Sequence, residues 1–214
     1  MDKSIVVIAP HGDDEVLGAC GAILHHIRSG DAVHVCFIKA HFDSRTKIQH
    51  DTTYKVKEQL GYHTINHYNI AASDICVTDK FICVIDNIVT TLTPDTLYCP
   101  WYGDMHQDHR VISLSCSSAT RIGKTFFTKN IFCYEIPSST DQGFLRNEMP
   151  FTPNYYINIT ESDIKLKVDM AKMYTGEYSN MRSDDAIYEL AKRRGRECNQ
   201  QFAEAFHCMR FIIE

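Results

Sequence analysis

The chain has 214 residues, of which 44% are hydrophobic and 23% charged, and its formal net charge is −5. This length predicts a single domain over residues 1–214, and the charge gives no basic footprint for nucleic acid or an anionic membrane surface. No apolar run approaches the roughly 18 residues of a membrane span. The N-terminus also lacks the order of basic, apolar and small residues found in a signal peptide, so we expect a cytoplasmic protein.

Nine cysteines are spread along the chain, mostly within apolar stretches, and none of them has CxxC spacing. An odd number in such a pattern indicates reduced, buried thiols. It does not favour a disulfide framework or a cysteine zinc site.

Segments typical of strands and helices alternate along the chain. Short β-branched and apolar runs predict strands at residues 4–9, 32–38, 64–69, 96–99, 130–136 and 207–213. Apolar positions at helical spacing, with glycine after several of them, predict helices over residues 15–29, 49–60, 79–92, 110–120, 161–174 and 183–199. The alternation predicts an α/β fold: a three-layer, Rossmann-like arrangement of a mostly parallel sheet flanked by helices. The polar, proline-containing segment 137–153 is typical of a long functional loop.

Two polar clusters each follow a predicted strand. The first, HGDDE, comes directly after residues 4–9, and the second, HQDH, follows residues 96–99. In an open parallel sheet, ligands bind beyond the carboxyl ends of the strands, so both clusters should converge on one crevice. Taken alone, each has a simpler interpretation: carboxylates can cap a helix, and two nearby histidines can share solvent. Capping does not account for His11, however, and surface decoration does not account for two histidines around Asp108.

Two imidazoles and one carboxylate form the ligand set of a catalytic zinc site that keeps one position open for water. The metal lowers the pKa of that water toward ~7. If Asp14 holds the metal, its neighbour Asp13 can take the proton from the attacking water and later return it to the leaving group. Ligand types of this sort overlap between metals, so iron or manganese stays open.

The same residues carry a family resemblance. The stretches APHGDDEVLG and GDMHQDHR resemble the paired motifs of the LmbE-like (PIG-L) zinc deacetylases, (A/P)HPDDE and a later HxDH or HxxH. Later stretches, YEIPSST, FTPNYYINI and RRGRECNQQFAEAF, also resemble family segments, so the resemblance extends over most of the chain. It implies one LmbE-like deacetylase domain that hydrolyses a GlcNAc-type amino sugar, or a glycoconjugate of one, to acetate and a free amine.

Carried over residue by residue, the resemblance implies that His11, Asp14 and His109 bind one zinc ion per chain. It further implies that Asp13 is the general base. His106 would polarise the amide carbonyl and stabilise the oxyanion, which is commonly worth about 10²–10³ in rate.

Two residues are candidates for substrate binding. Relatives often carry an arginine where this chain has residues 40–60, and Arg45 is the nearest candidate. Trp101, the only tryptophan, precedes His106 by five residues and could stack on a sugar ring. A tryptophan near a strand end is at least as often part of the core, so both interpretations stand.

The sequence also suggests structural roles for four other residues. Gly12 stands where the family motif has proline, which puts the rigidity of the loop in question. Asp108 either orients a histidine or caps the helix that follows. Arg182 and Glu204 lie in segments that resemble the C-terminal half of the family, and we expect each to form an ion pair away from the site.

Several other functions stay open. One is a metal-dependent amidase acting on another N-acyl substrate, and another is a metal-dependent phosphoesterase, which needs two ions about 3.5–4 Å apart. A non-catalytic binding protein would make no use of Asp13. Dinucleotide binding is disfavoured because the first turn has HGDDE in place of GxGxxG. Self-association into a homo-oligomer is also open.

Overall fold

The computed structural model describes residues 3–39, 44–124, 126–142, 148–174 and 180–213. For residues 44–49 it describes the backbone only. The strands are β1 (Ser4–Ala9), β2 (Ala32–Lys39), β3 (Thr64–Ile70), β4 (Thr96–Pro100), β5 (Asn130–Tyr134), β6 (Tyr155–Asn158) and β7 (Ala203–Arg210). The α-helices are α1 (Asp14–Arg28), α2 (Ser44–Leu60), α3 (Asp79–Leu92), α4 (Gln107–Ala119), α5 (Glu161–Met173) and α6 (Asp184–Glu197). A short 3-10 helix at Asn180–Arg182 precedes α6.

The seven strands form one sheet in the order β3-β2-β1-β4-β5-β7-β6. The first five strands in the chain pair in parallel, whereas β7 runs antiparallel to both β5 and β6. Strand β1 lies near the middle and is fully buried from Ile5 to Ile8. A run of β-branched residues with both faces covered is what a central parallel strand requires.

Helices cover both faces of the sheet. One apolar cluster packs residues of α1, α2, α5 and α6 against the sheet, and a second packs residues of α3 and α4 against the other face. The predicted three-layer α/β architecture is confirmed. All nine cysteines lie in the described residues and are free thiols.

Helix α1 lies unusually close to the sheet at Gly18. A Cβ added there would sit 2.2 Å from Cδ2 of Tyr134 on β5, so glycine is what permits this approach. The Tyr134 hydroxyl donates to the carbonyl of Ile8 at 2.8 Å, which fixes the ring beneath the helix.

The strand order reverses between β1 and β4. The chain proceeds from β1 outward to β2 and β3, then returns to place β4 on the other side of β1. A crevice opens at such a switch point, beyond the carboxyl ends of the two strands. Both polar clusters of the sequence follow these two strands.

Several boundaries differ from the predictions. Helix α2 begins at Ser44 instead of residue 49, α4 begins at Gln107 instead of 110, and β7 spans Ala203–Arg210 instead of 207–213. Strand β6 was not predicted. The described parts of segment 137–153 contain no helix or strand, as expected for a loop.

Within the described residues, we find no helix with the length and apolarity needed to span a membrane.

Candidate metal centre and active site

The loop after β1 delivers His11 and Asp14 to the crevice. Asp14 is the first residue of α1, and its Oδ2 atom accepts the backbone N–H of His11 at 2.9 Å. This bond closes the loop on itself and fixes both side chains at the carboxyl end of β1.

The start of α4 delivers the second cluster. His106 is the N-cap of the helix, and its Nδ1 accepts the backbone N–H of Asp108 at 3.1 Å. Asp108 and His109 therefore lie in the first helical turn, whereas the predicted helix began only at residue 110. Because a side chain other than Asp108 caps α4, the capping interpretation of Asp108 is wrong.

Three candidate ligand atoms form a nearly equilateral triangle. His11 Nδ1 lies 3.2 Å from Asp14 Oδ2, and His109 Nε2 lies 3.4 Å from each of these two atoms. Tetrahedral zinc holds nitrogen and oxygen ligands at about 2.0–2.1 Å, which places any two of them about 3.3 Å apart. The three residues that the sequence proposed as ligands are thus brought together at the spacing that zinc requires.

Each imidazole has a carboxylate behind it. His11 Nε2 lies 2.9 Å from Asp108 Oδ2, and His109 Nδ1 lies 3.3 Å from Asp104 Oδ2. Such carboxylates fix the ring orientation and raise the basicity of a metal-binding histidine. Asp108 therefore lies where a residue that orients His11 should be.

Asp104 was missed in the sequence, although it stands two residues before His106 in the same motif. It is buried, and it accepts the backbone N–H of His106 at 2.7 Å and the hydroxyls of Ser139 and Thr140. The segment after β5 thus supports the candidate metal centre through Asp104.

The centre favours positive charge. Burial opposes protonation of His109, but Asp14 and Asp104 outweigh it and raise its pKa to about 10. Burial alone would raise the pKa of Asp14, yet His109 and His11 hold it well below its usual value. Burial likewise opposes protonation of His11, but bonds to Asp108 and Asp14 raise its pKa. The carboxylates around these imidazoles thus favour positive charge at this place, which a bound cation would supply.

His106 has a different environment. Its side chain is 43% exposed, and burial together with the charges of His11 and His109 lowers its pKa to about 4. It is therefore neutral at pH 7. Because Nδ1 accepts the N–H of Asp108, the proton lies on Nε2, which can donate a hydrogen bond.

Asp13 occupies a strained backbone conformation next to the centre. Its φ of 153° and ψ of −23° belong to a region that favours glycine and costs roughly 1–3 kcal/mol. Its N–H donates to Glu15 at 3.1 Å, and burial raises the pKa of Glu15 to about 8. Within the described residues the Asp13 side chain does not cap α1. It accepts instead from Arg182 Nη1 at 2.6 Å.

The expectation for Arg182 was wrong. We placed its ion pair away from the site, but the partner is Asp13 itself. The Nε atom of Arg182 also donates to Ser138 Oγ at 2.8 Å, and Ser138 has a left-handed φ of 70°. Arg182 lies in the turn before α6 and thus contacts two strained residues, Asp13 after β1 and Ser138 after β5.

A sequence model of the PIG-L family, described as GlcNAc-PI de-N-acetylase, matches residues 6–120, more than half of the chain. The chain belongs to the PIG-L family. The match contains all three candidate ligands, together with Asp13, Asp104 and His106. Ser138, Ser139, Thr140 and Arg182 lie beyond it.

Solved structures share the fold of this PIG-L family member. The conserved protein TT1542 from Thermus thermophilus is 17% identical, with a TM-score of 0.82 over 99% of this chain and 97% of that one. N,N'-diacetylchitobiose deacetylase from Pyrococcus horikoshii is 17% identical, with a TM-score of 0.78 over 97% and 84%. GalB, the 4-carboxy-2-hydroxymuconate hydratase of Pseudomonas putida, is 16% identical, with a TM-score of 0.78 over 99% and 98%. These likenesses establish the fold, and they include a hydratase, so the reaction must be argued from the site.

The remaining predicted residues are placed as follows. Trp101 is only 2% exposed and packs against Phe151 and His207, which favours the core interpretation over stacking on a sugar ring. The side chain of Arg45, near the start of α2, lies outside the described part of the structure. Glu204 forms a buried ion pair with Lys167 at 2.7 Å, as expected.

Proposed function

We propose that this PIG-L family member is a zinc-dependent hydrolase that removes the N-acetyl group from a GlcNAc-type amino sugar or its conjugate. The observation that carries the proposal is the triangle of His11, Asp14 and His109 atoms, 3.2–3.4 Å on a side, with Asp13 beside it. The family description and the fold shared with a chitobiose deacetylase support the same reaction class.

One zinc ion per chain would be held by His11, Asp14 and His109. When bound, zinc lowers the pKa of a water molecule toward ~7 and polarises a carbonyl oxygen. Asp104 and Asp108 would keep the two imidazoles oriented.

The residues around the ligands account for the proton transfers. Asp13 takes a proton from the attacking water and returns it to the amine nitrogen when the C–N bond breaks. Arg182 holds the Asp13 carboxylate in place while this happens. His106 donates from Nε2 to the acyl oxygen as negative charge develops there, a contribution of about 10²–10³ in rate.

The substrate test measures primary-amine release from N-acetylated sugars in free, glycoside-linked and nucleotide-linked form. Zinc-loaded wild-type protein is compared with Asp13→Ala and with Asp79→Ala, an exposed aspartate in the first turn of α3. We expect Asp13→Ala to retain zinc and lose most turnover, and Asp79→Ala to behave as wild type. His109→Ala should lose the metal.

Two results contradict the proposal. A near-normal rate for Asp13→Ala at saturating zinc means that Asp13 is not the base. No release from folded, zinc-bound wild-type protein across the panel means that the substrate is not an N-acetyl sugar, and hydrolysis of other N-acyl compounds would then identify an amidase. Hydrolysis of bis(p-nitrophenyl) phosphate would indicate the phosphoesterase alternative.

A further inference from the structure

A cavity of about 410 Å³ lies between helix α4 and strands β5 and β7. The described residues that line it include none of the candidate metal ligands, and neither Asp13 nor His106. Sites for small molecules typically have volumes of about 300–1,000 Å³. The cavity is therefore large enough for a ligand of its own, apart from the candidate metal centre.

Small side chains on α4 leave this space open. Four of them line the cavity: Ser113, Cys116, Ser117 and Thr120. They are spaced three or four positions apart, which places them on the same side of the helix. Helix α4 packs on β4, and within the described residues only α3 and α4 contribute helical residues to the apolar cluster on this face. The part of β5 and β7 next to α4 is thus left without a helix over it.

Most of the lining is apolar or neutral. Its buried floor contains the thiols of Cys99, Cys116 and Cys133, with the Sγ atoms of Cys99 and Cys133 3.7 Å apart. Hydrogen bonds between thiols, together with burial, raise the pKa of Cys99 and of Cys133 well above the usual value. These thiols therefore stay neutral and behave as small apolar groups. Leu114 and Met209, each 48% exposed, also line the cavity, and an apolar ligand would cover part of their surface.

Arg210 is the one charged residue in the described lining. Its Nη1 donates to the carbonyls of Thr120 at 3.0 Å and Thr128 at 2.9 Å, and its Nη2 donates to Thr120 at 3.0 Å. The guanidinium carbon lies over the ring of Phe127, 4.5 Å from its centroid. These contacts hold the group in place without neutralising it, because Arg210 forms no ion pair with a carboxylate in the described part of the chain.

The hydrogen bonds of Arg210 leave one edge of its guanidinium group available. A guanidinium has five N–H groups, and three of them donate to the carbonyls of Thr120 and Thr128. The two that remain, on Nε and Nη2, lie side by side. A carboxylate accepts two parallel hydrogen bonds from such an edge, which is the strong bidentate pairing of arginine.

We propose that this cavity binds a small apolar molecule that carries one carboxylate. The apolar body lies on the thiol floor and against Leu114 and Met209, and the carboxylate pairs with Arg210. A cationic ligand would lie against the guanidinium, and a sugar would lose water from its hydroxyls to an apolar floor. The proposal goes beyond the proposed function and does not depend on it, because it uses no residue of the candidate active site.

Isothermal titration calorimetry of the full chain tests the chemistry of the ligand. The probes are decanoate and decylammonium, which have the same chain and opposite charge, both kept below the concentration at which they form micelles. Wild type should bind about one decanoate per chain, with a Kd at least about tenfold lower than that of decylammonium. This comparison uses wild type alone, so misfolding of a variant cannot produce the expected result.

Variants locate the site. Arg210→Met should raise the Kd of decanoate at least about tenfold, and Arg210→Lys should raise it less, because lysine keeps the charge but not the paired donors. Arg121→Met is the matched control, since Arg121 is exposed and lies outside the lining, and it should bind as wild type does. Ser117→Trp should fill the cavity and abolish binding. Because Ser117 is exposed, this variant should unfold at the same temperature as wild type.

Several results overturn the site. These are no binding of decanoate to wild type, equal Kd values for the two probes, or unchanged binding in a folded Arg210→Met or Ser117→Trp. If Arg210→Met does not fold, the two probes and Ser117→Trp still decide. A wild-type dimer that binds no decanoate and that Ser117→Trp converts to a monomer in sedimentation velocity would assign the cavity to a second copy of the chain, which also overturns the proposal.

Discussion

Arg182→Ala should weaken both the fold and the reaction through a single contact with Asp13. The Nη1–Oδ2 distance is 2.6 Å, and the Arg182 side chain is 16% exposed. A hydrogen bond to a charged group is worth about 1.5–3 kcal/mol, and breaking a fully buried pair costs about 3–5 kcal/mol. Because this pair is partly solvated, we expect the free energy of unfolding to fall by about 2–3 kcal/mol.

The effect on turnover follows from the position of Asp13. A misplacement of about 1 Å in a catalytic group can cost about 10²-fold, so we expect a loss in kcat of that order with little change in KM. Added guanidinium should restore part of the rate to Arg182→Ala. Arg182→Lys should also recover part of it, because lysine supplies the charge but cannot reproduce the Nε bond to Ser138.

A double-mutant cycle isolates the contact. Urea unfolding of wild type, Arg182→Ala, Asp13→Ala and the double variant should give a coupling energy of about 1.5–3 kcal/mol. Arg193→Ala is the control, since that side chain is 70% exposed and should change stability by less than about 0.5 kcal/mol. If Arg182→Ala costs the same with and without Asp13, the arginine does not act through Asp13.

Four further outcomes are expected. Asp104→Asn should lower zinc affinity about 10–100-fold, measured by competition with a chelator. An unchanged affinity would mean that Asp104 does not support His109 as a metal ligand. Because the pKa of His109 is raised to about 10 without metal, zinc must displace its proton. The Kd of zinc should therefore fall about tenfold or more for each unit by which the pH rises between roughly 6 and 9. A Kd that does not change with pH would contradict this. Trp101→Phe should leave KM unchanged and lower stability by about 1–3 kcal/mol in urea unfolding, whereas a raised KM would return Trp101 to the substrate site. Gly18→Ala should destabilise by about 2–3 kcal/mol or more, because its Cβ would lie 2.2 Å from the Tyr134 ring, and a stable variant would show that the ring can move.

Local patterns predicted the central part of the fold. Strand β1 was predicted at its observed bounds because its β-branched run is buried on both faces. The start of α4 was placed too late, since the apolar pattern begins after His109 and a histidine N-cap is not among the usual capping residues. Strand β6, only four residues long, has too few positions for a pattern to show.

In the candidate site, too, the residues with a local sequence pattern were predicted and those without one were missed. His11, Asp14 and His109 belong to short motifs that follow β1 and β4, two neighbouring strands of the sheet, so the topology brings them together. Arg182 is 169 residues from Asp13, and no local pattern relates the two. The sequence left two interpretations of Trp101 because residue type and position near a strand end are the same for a tryptophan in the core and one in a sugar site.

The contact between Asp13 and Arg182 also orders events during synthesis of the chain. His109 is the last of the three candidate ligands to be made, and Arg182 follows it only after about 4–15 s at ~5–20 residues per second. A nascent chain thus carries all three candidate ligands before the arginine that contacts Asp13 exists. If His11, Asp14 and His109 hold a metal ion, they can do so before Asp13 is held in place, and a chain that ends between these points should bind metal with little hydrolytic activity.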